Sequence, residues 1–374
     1  MKLVYAWSRR PRGLASKTPC HLSSKLQLPR SATQLGPMPT SFSINNLVPF
    51  NSMNMISKSL TLPSRYRLFG CAIVAVCLSA YLSVAQDDSK GKKDEKKKIP
   101  PPEVVEIRTK DEVNLTCTWY ASLNGKEATP VLLLHDWGSN RKSMESYAEK
   151  LQSEGCAVLV PDLRGHGDST IKVGLATPLN YEKFKPAEIS GTLLDIEACK
   201  SFLTKRNNEA ELNIDLLTVV AVGKTSILTM EWTISDWQWA PLGGIKMGQD
   251  VKGVALIAPE KSFRSLNMNQ SLRHPLFIGP ANESLSMLVF SDANKSERAV
   301  RDSKSIFEGT EKLRKANSDG LKYLYYFEFR LKQQVQIVER NNVDVPVSDI
   351  LGEFVKTVEN RFKESHRWQN RSRN

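Results

Sequence analysis

Histidine and cysteine are scarce in this chain of 374 residues, with five of the first and six of the second. Past residue 86 only Cys117, Cys156 and Cys199 remain. An odd number, at spacings that fit no zinc motif, argues against a disulfide framework and against a structural metal site. Aspartate and glutamate are absent from residues 1–52. Excess positive charge is in turn absent from the rest. Residues 1–98 hold sixteen Lys and Arg against four acids, Asp87, Asp88, Asp94 and Glu95, and so carry the whole net charge of +12. A basic chain ordinarily points to nucleic acid or an anionic surface. Basicity confined to a leader and a linker excludes nucleic acid as a partner of the folded part. No internal repeat is visible.

What the leader does contain is one apolar run. LFGCAIVAVCLSAYLSVAQ (68–86) carries no charge, follows Lys58, Arg65 and Arg67, and reaches a small-x-small pattern at Ser83-Val84-Ala85. That arrangement reads as a secretory signal peptide over 53–85, which predicts export to the periplasm, the cell envelope or the medium. Retained, the run would be a single-span membrane anchor, although it falls just short of the ~20 residues a span needs. Residues 1–52 then form a basic leader, either an organelle transit region or sequence ahead of a true start at Met53 or Met55. QDDSKGKKDEKKKIPPP (86–102) is charged, ends in prolines and has no apolar periodicity, as a solvated linker would.

From residue 103 the pattern alternates. EVVEIRTKDEVNLTCTWYAS (103–122) alternates about a polar turn and predicts an antiparallel hairpin. A short buried strand followed by a loop is expected at 130–138, a strand running into a Gly-rich turn at 156–169, and further strands at 215–223, 251–259, 285–292 and 321–330. Helices are expected at 140–155, 186–207, 226–237, 296–316 and 348–362, the first with Met144, Tyr147, Ala148 and Leu151 on one face. Apolar strands separated by amphipathic helices predict an α/β domain over 103–362, with a mostly parallel sheet covered on both faces. A basic tail, 363–374, follows.

VVAVGKTSIL (219–228) decides how the domain is read. A phosphate-binding loop needs a glycine five residues before the glycine of Gly-Lys-Thr, because an open loop must wrap the phosphates. Thr218 stands there, inside a β-branched strand, so a nucleotide site is excluded and no cofactor is expected. The other strand-turn-helix motif of this kind is the nucleophile elbow, G-x-S-x-G. Together with VLLLHDWGSNRKSMESYAEKL and GCAVLVPDLRGHGDST, this stretch makes the chain resemble the α/β-hydrolase fold family, in particular its esterase, lipase and serine-aminopeptidase-like members.

The resemblance implies a site. His135-Asp136-Trp137-Gly138 matches the family's oxyanion loop, with Asp136 where glycine is usual. The N–H groups of Trp137 and Ser226 would be the oxyanion donors. Thr225 falls at the nucleophile position, where its β-methyl crowds a strained turn. Ser226 lies one residue later. Asp292 is near the place of the acid, with Asn294 two residues on, and either Asp292 serves there or it caps a turn. The family's histidine follows the last strand, yet 329–349 contains none. His21 is in the leader, His274 is in SLRHPL, and His366 is in the tail, from which it could fold back over the site. His135 and His166 belong to the two loop motifs and are expected to shape them, each also a candidate substitute base. Trp237 and Trp239, in the insert 235–250, either line a pocket with His135 and His166 or pack a long loop.

Without a general base a hydroxyl is a weak nucleophile at neutral pH, and that base is typically worth 10²–10⁴-fold. Three readings follow. The leading one is a pseudoenzyme lacking a Ser-His-Asp triad, which binds a small molecule or a protein. The second is an active esterase or peptidase-like hydrolase using Thr225 or Ser226. The third is a structural envelope protein. The missing histidine favours the first and the third.

Overall fold

The computed structural model describes residues 98–280, 283–315, 323–329, 334–337 and 343–372. The leader 1–52, the signal segment 53–85 and the linker up to residue 97 lie outside the described residues.

Ten strands of four residues or more build one sheet. They are β1 (Glu103–Arg108), β2 (Val113–Tyr120), β3 (Pro130–Leu134), β4 (Ala157–Pro161), β5 (Leu217–Val222), β6 (Val251–Ile257), β7 (Ser286–Asp292), β8 (Leu324–Phe329), β9 (Gln334–Ile337) and β10 (Val343–Pro346). Their order is β1-β2-β4-β3-β5-β6-β7-β8-β9-β10. β2 is antiparallel to both neighbours, β4 through β8 pair in parallel, and β9 and β10 return antiparallel. The two-residue strand Ile171–Lys172 adds to the edge of β2.

The sequence explains the layering. PVLLL in β3 and AVLVP in β4 are buried at every position, as strands between two helical layers must be. β2 instead alternates, burying Val113, Leu115, Cys117 and Trp119. The long helices are α1 (Glu145–Ser153), α2 (Thr192–Asn208), α3 (Thr225–Gln238), α4 (Glu297–Arg314) and α5 (Val347–Phe362). Ile196, Cys199 and Leu203 of α2, Leu228 and Trp232 of α3 and Ile306 of α4 pack in the core on one face. Tyr147, Ala148 and Leu151 of α1 and Leu351, Phe354 and Val358 of α5 fill the core on the other. This is the α/β-hydrolase fold, with the expected antiparallel pair at the start of the domain.

Three segments differ from the sequence reading. The helix expected over 186–207 breaks at Gly191 into the short helix Pro186–Ser190 and α2. The Arg164 guanidinium packs against Gly191 so closely that a Cβ there would collide with it. Residues 334–346, for which no element is expected, supply β9 and β10, because β8 offers them an unpaired edge. The basic tail, for which no contacts are expected, is tied to the domain at His366, Trp368 and Arg371. The Asn213 amide donates to the His366 carbonyl (2.9 Å) and the Trp368 indole to the Asn207 carbonyl (3.1 Å). Arg371 is bound between Asp215 (2.6 Å) and Asp250 (2.5 Å). Among the described residues no helix is long and apolar enough to cross a membrane.

Candidate functional site

The C-terminal ends of the parallel strands gather the loops that could hold a site. β5 ends at Val222, and the chain turns through Gly223 (φ +56°) and Lys224 (φ −69°) into α3. The left-handed residue at the apex of the turn is therefore Gly223. That is the strained position an elbow reserves for its nucleophile, so the register expected from the sequence moves by two residues. The motif reads Ala221-Val222-Gly223-Lys224-Thr225, with small side chains flanking an apex that has none.

Thr225 and Ser226 consequently belong to the helix. Both are fully buried. The Thr225 hydroxyl has no hydrogen-bond partner, and that of Ser226 reaches back to the Ala221 carbonyl at 3.5 Å. The Ser226 N–H donates to the Gly223 carbonyl (3.3 Å) and is spent in the first helical turn. The backbone donor beside the apex is that of Lys224.

Asp136 fills the space these groups leave. Its Oδ1 accepts the N–H of Trp137 at 2.8 Å and the N–H of Lys224 at 2.9 Å, while Lys295 Nζ stands 3.4 Å from Oδ2. A Cβ built on Gly223 would lie on top of this carboxylate. Two backbone donors and an ammonium that could stabilise a developing oxyanion thus already hold a full negative charge. The N–H of Trp137, one of the two expected donors, and that of Lys224, in place of the expected Ser226, both bond to Asp136, whose side chain the sequence reading gave no role. Its signal was present as an acid at the usual glycine of the oxyanion loop.

His135 is fully buried and uses both ring nitrogens. Nδ1 donates to the Asp136 carbonyl (2.8 Å), and Nε2 accepts the Leu163 N–H (3.1 Å). Burial holds its pKa below the ordinary value. The ring thereby ties the oxyanion loop to the loop after β4. His166 holds that second loop, its Nδ1 bonded to the Arg164 carbonyl at 2.9 Å. Burial, with His135 as a further cause, pushes its pKa down to about 4. Its ring stacks on Tyr181 at 4.1 Å and meets Trp137 edge-on at 4.8 Å. Tyr181, Phe184 and Phe263 complete a ring of aromatics around Trp137, and Lys224 Nζ lies 5.3 Å from the Phe263 ring.

Asp292 ends β7, where its Oδ1 accepts the Asn294 N–H (2.9 Å) and the Asn294 amide (3.2 Å). It caps the turn that delivers Lys295. Trp237 and Trp239 are not near the apex. α3 starts at the elbow and runs about 20 Å to the opposite edge of the sheet. There the Trp237 indole donates to the carbonyl of Val251, the first residue of β6 (3.0 Å). Trp239 is 46% exposed beneath Lys110. His366 lies at that far edge too, bonded through its carbonyl to Asn213, so the folding back over the site that the sequence allowed does not occur. Clefts of about 310 and 210 Å³ open elsewhere, the first along Ile107 and Phe202, the second beside Leu175 and Phe184. Neither is lined by Asp136, Trp137 or Gly223.

No protein-family model matches the chain, and no curated protein matches it. Among solved structures it is similar to an esterase of Pyrococcus furiosus (16% identity, TM-score 0.46, covering 69% of this chain and 92% of that one). It is also similar to a dienelactone hydrolase of Anabaena variabilis (13%, 0.47, 70% and 99%). A third is a fungal esterase of Rhizomucor miehei (13%, 0.46, 78% and 91%). The fold itself is read from the strand order and the elbow.

Proposed function

We propose that this chain is a non-catalytic α/β-hydrolase-fold protein, exported through residues 53–85, that acts by binding a partner and not by turning over an ester or peptide bond. The observation that carries the reading is the Asp136 carboxylate, which holds the two backbone donors and overlies the Cβ position of Gly223. An apex without a side chain supplies no nucleophile. A hole filled by an internal anion stabilises no transition state. Losing triad members leaves at best ~10³–10⁴-fold over water, and that remainder needs an open hole. The rings packed around Trp137 favour a protein partner over a small ligand at this position.

The test is hydrolysis of short-chain p-nitrophenyl esters and aminoacyl p-nitroanilides by the purified protein, with the Asp136→Asn variant run beside it. The expected result is no turnover by either. Turnover by the parent that Asp136→Asn abolishes would overturn the reading and make Asp136 a reacting group. Export is checked separately by N-terminal sequencing of the protein from the envelope fraction, which should begin after Ala85.

A further inference from the structure

Cys117 and Cys199 are far apart in the chain and neighbours in the fold. β2 runs against the central parallel strands and therefore in the same sense as α2, which covers it. Trp119 of β2 meets Phe202 of α2 edge-on, with ring centroids 5.6 Å apart, and the Arg206 guanidinium lies 5.8 Å from the same indole. Two residues back along the strand, on the same face, stands Cys117. One turn back along the helix, on the same face, stands Cys199. Both side chains are fully buried in the core on that face. The neighbouring Cys117 thiol, followed by burial, is the main cause holding the Cys199 thiol well above its ordinary pKa. Cys156 belongs to the core on the opposite side of the sheet, where burial pushes its thiol up to about 12.

We propose that Cys117 and Cys199 are a disulfide-forming pair that joins when the chain folds under oxidising conditions, with Cys156 left as the free thiol. Cys117, Cys156 and Cys199 are free, buried thiols in the structure. The oxidant is a small-molecule disulfide such as oxidised glutathione. A thiolate of one cysteine attacks it, releasing one small thiol and leaving a mixed disulfide. The second cysteine then displaces the other small thiol, so two electrons pass to the oxidant and the two protons leave on its products. Because the folded core buries both thiols and disfavours the Cys199 thiolate, the bond forms before α2 closes over β2. A bond there would tie the antiparallel edge of the sheet to its covering helix and close a long loop of chain, the case in which a cross-link constrains the unfolded state most.

The test uses the full chain made in a bacterial host whose cytosol forms disulfides and, in parallel, in an ordinary reducing host. Free thiols are blocked with N-ethylmaleimide in denaturant, and the unreduced digest is mapped by mass spectrometry. The expected map from the oxidising host joins the Cys117 and Cys199 peptides and shows Cys156 alkylated. The melting temperature of that protein should exceed the reduced form's by roughly 5 °C. This difference should vanish in the Cys117→Ala/Cys199→Ala double variant. Recovery of Cys117 and Cys199 as alkylated thiols, or their linkage to any other cysteine, overturns the proposal. Should the oxidising host yield no soluble chain, the reduced protein is unfolded and refolded with oxidised glutathione, and the same map is read.

Discussion

The carboxylate of Asp136 lies where the side chain of residue 223 would begin, and residue 223 is a glycine. The two residues are far apart in sequence and share one small volume, so each sets what the other can be.

Gly223→Ser should therefore be destabilising twice over, through the left-handed φ and through collision with the carboxylate. A loss of about 2 kcal/mol or more is expected by chemical denaturation. Adding Asp136→Gly should return part of that loss, a coupling that independent sites would not show. The double variant should still hydrolyse no p-nitrophenyl ester, because both ring nitrogens of His135 are already engaged and His366 is seated by Asn213 at the far end of the sheet.

Asp136→Ala leaves the N–H groups of Trp137 and Lys224 facing an empty hole beside Lys295. Acetate or formate in the tens of millimolar should raise the melting temperature of this variant and leave that of the parent unmoved. Equal response of the two proteins would show that the hole does not persist without its aspartate.

His166 supplies a pH dependence with a definite sign. Burial, and secondarily His135, lowers its folded pKa from the ordinary 6.5 to about 4, so the unfolded chain binds the proton more readily. Its contribution to stability is complete above pH 6.5 and is lost as pH falls through that interval, by on the order of 3 kcal/mol at pH 4. Equilibrium unfolding between pH 4 and 7 measures this. The His166→Gln variant should show a shallower fall.

Arg371 closes the far edge of the sheet. It binds Asp250, which is fully buried, and Asp215. Burial alone would raise the Asp250 pKa, but its bonds to Arg371 and the charge of Lys200 outweigh that and bring it to about 2. Arg371→Ala removes its bonds to this carboxylate but leaves Lys200 (3.0 Å) and Lys246 (3.4 Å) beside it, and should cost roughly 1–3 kcal/mol. In the parent the stabilisation tied to Asp250 is present above about pH 4 and disappears toward pH 2. An unchanged denaturation midpoint in Arg371→Ala would mean that the tail is not seated.

Most of the architecture was legible in the sequence because it is written locally. Short apolar runs such as PVLLL and LTVVAV suit strands buried on both faces, and the stripe of Met144, Tyr147, Ala148 and Leu151 suits one side of a helix. The polar segment 329–349 gave no such signal, since β9 and β10 exist because β8 has an edge to pair.

The site divides in the same way. The strand-turn-helix at 217–238 and the absence of histidine from 329–349 could be named from residues alone, because they are matters of residue type and order. The elbow's register could not, since two glycine-anchored alignments differ only in which residue takes a positive φ, and that depends on where β5 stops pairing with β6. The direction of the Asp136 side chain, the distance of Trp237 and Trp239 from the apex, the seat of Arg371 and the meeting of Cys117 with Cys199 all join residues remote in sequence. Only the packing of helices on the twisted sheet brings such pairs within reach, and so only the tertiary structure decided them.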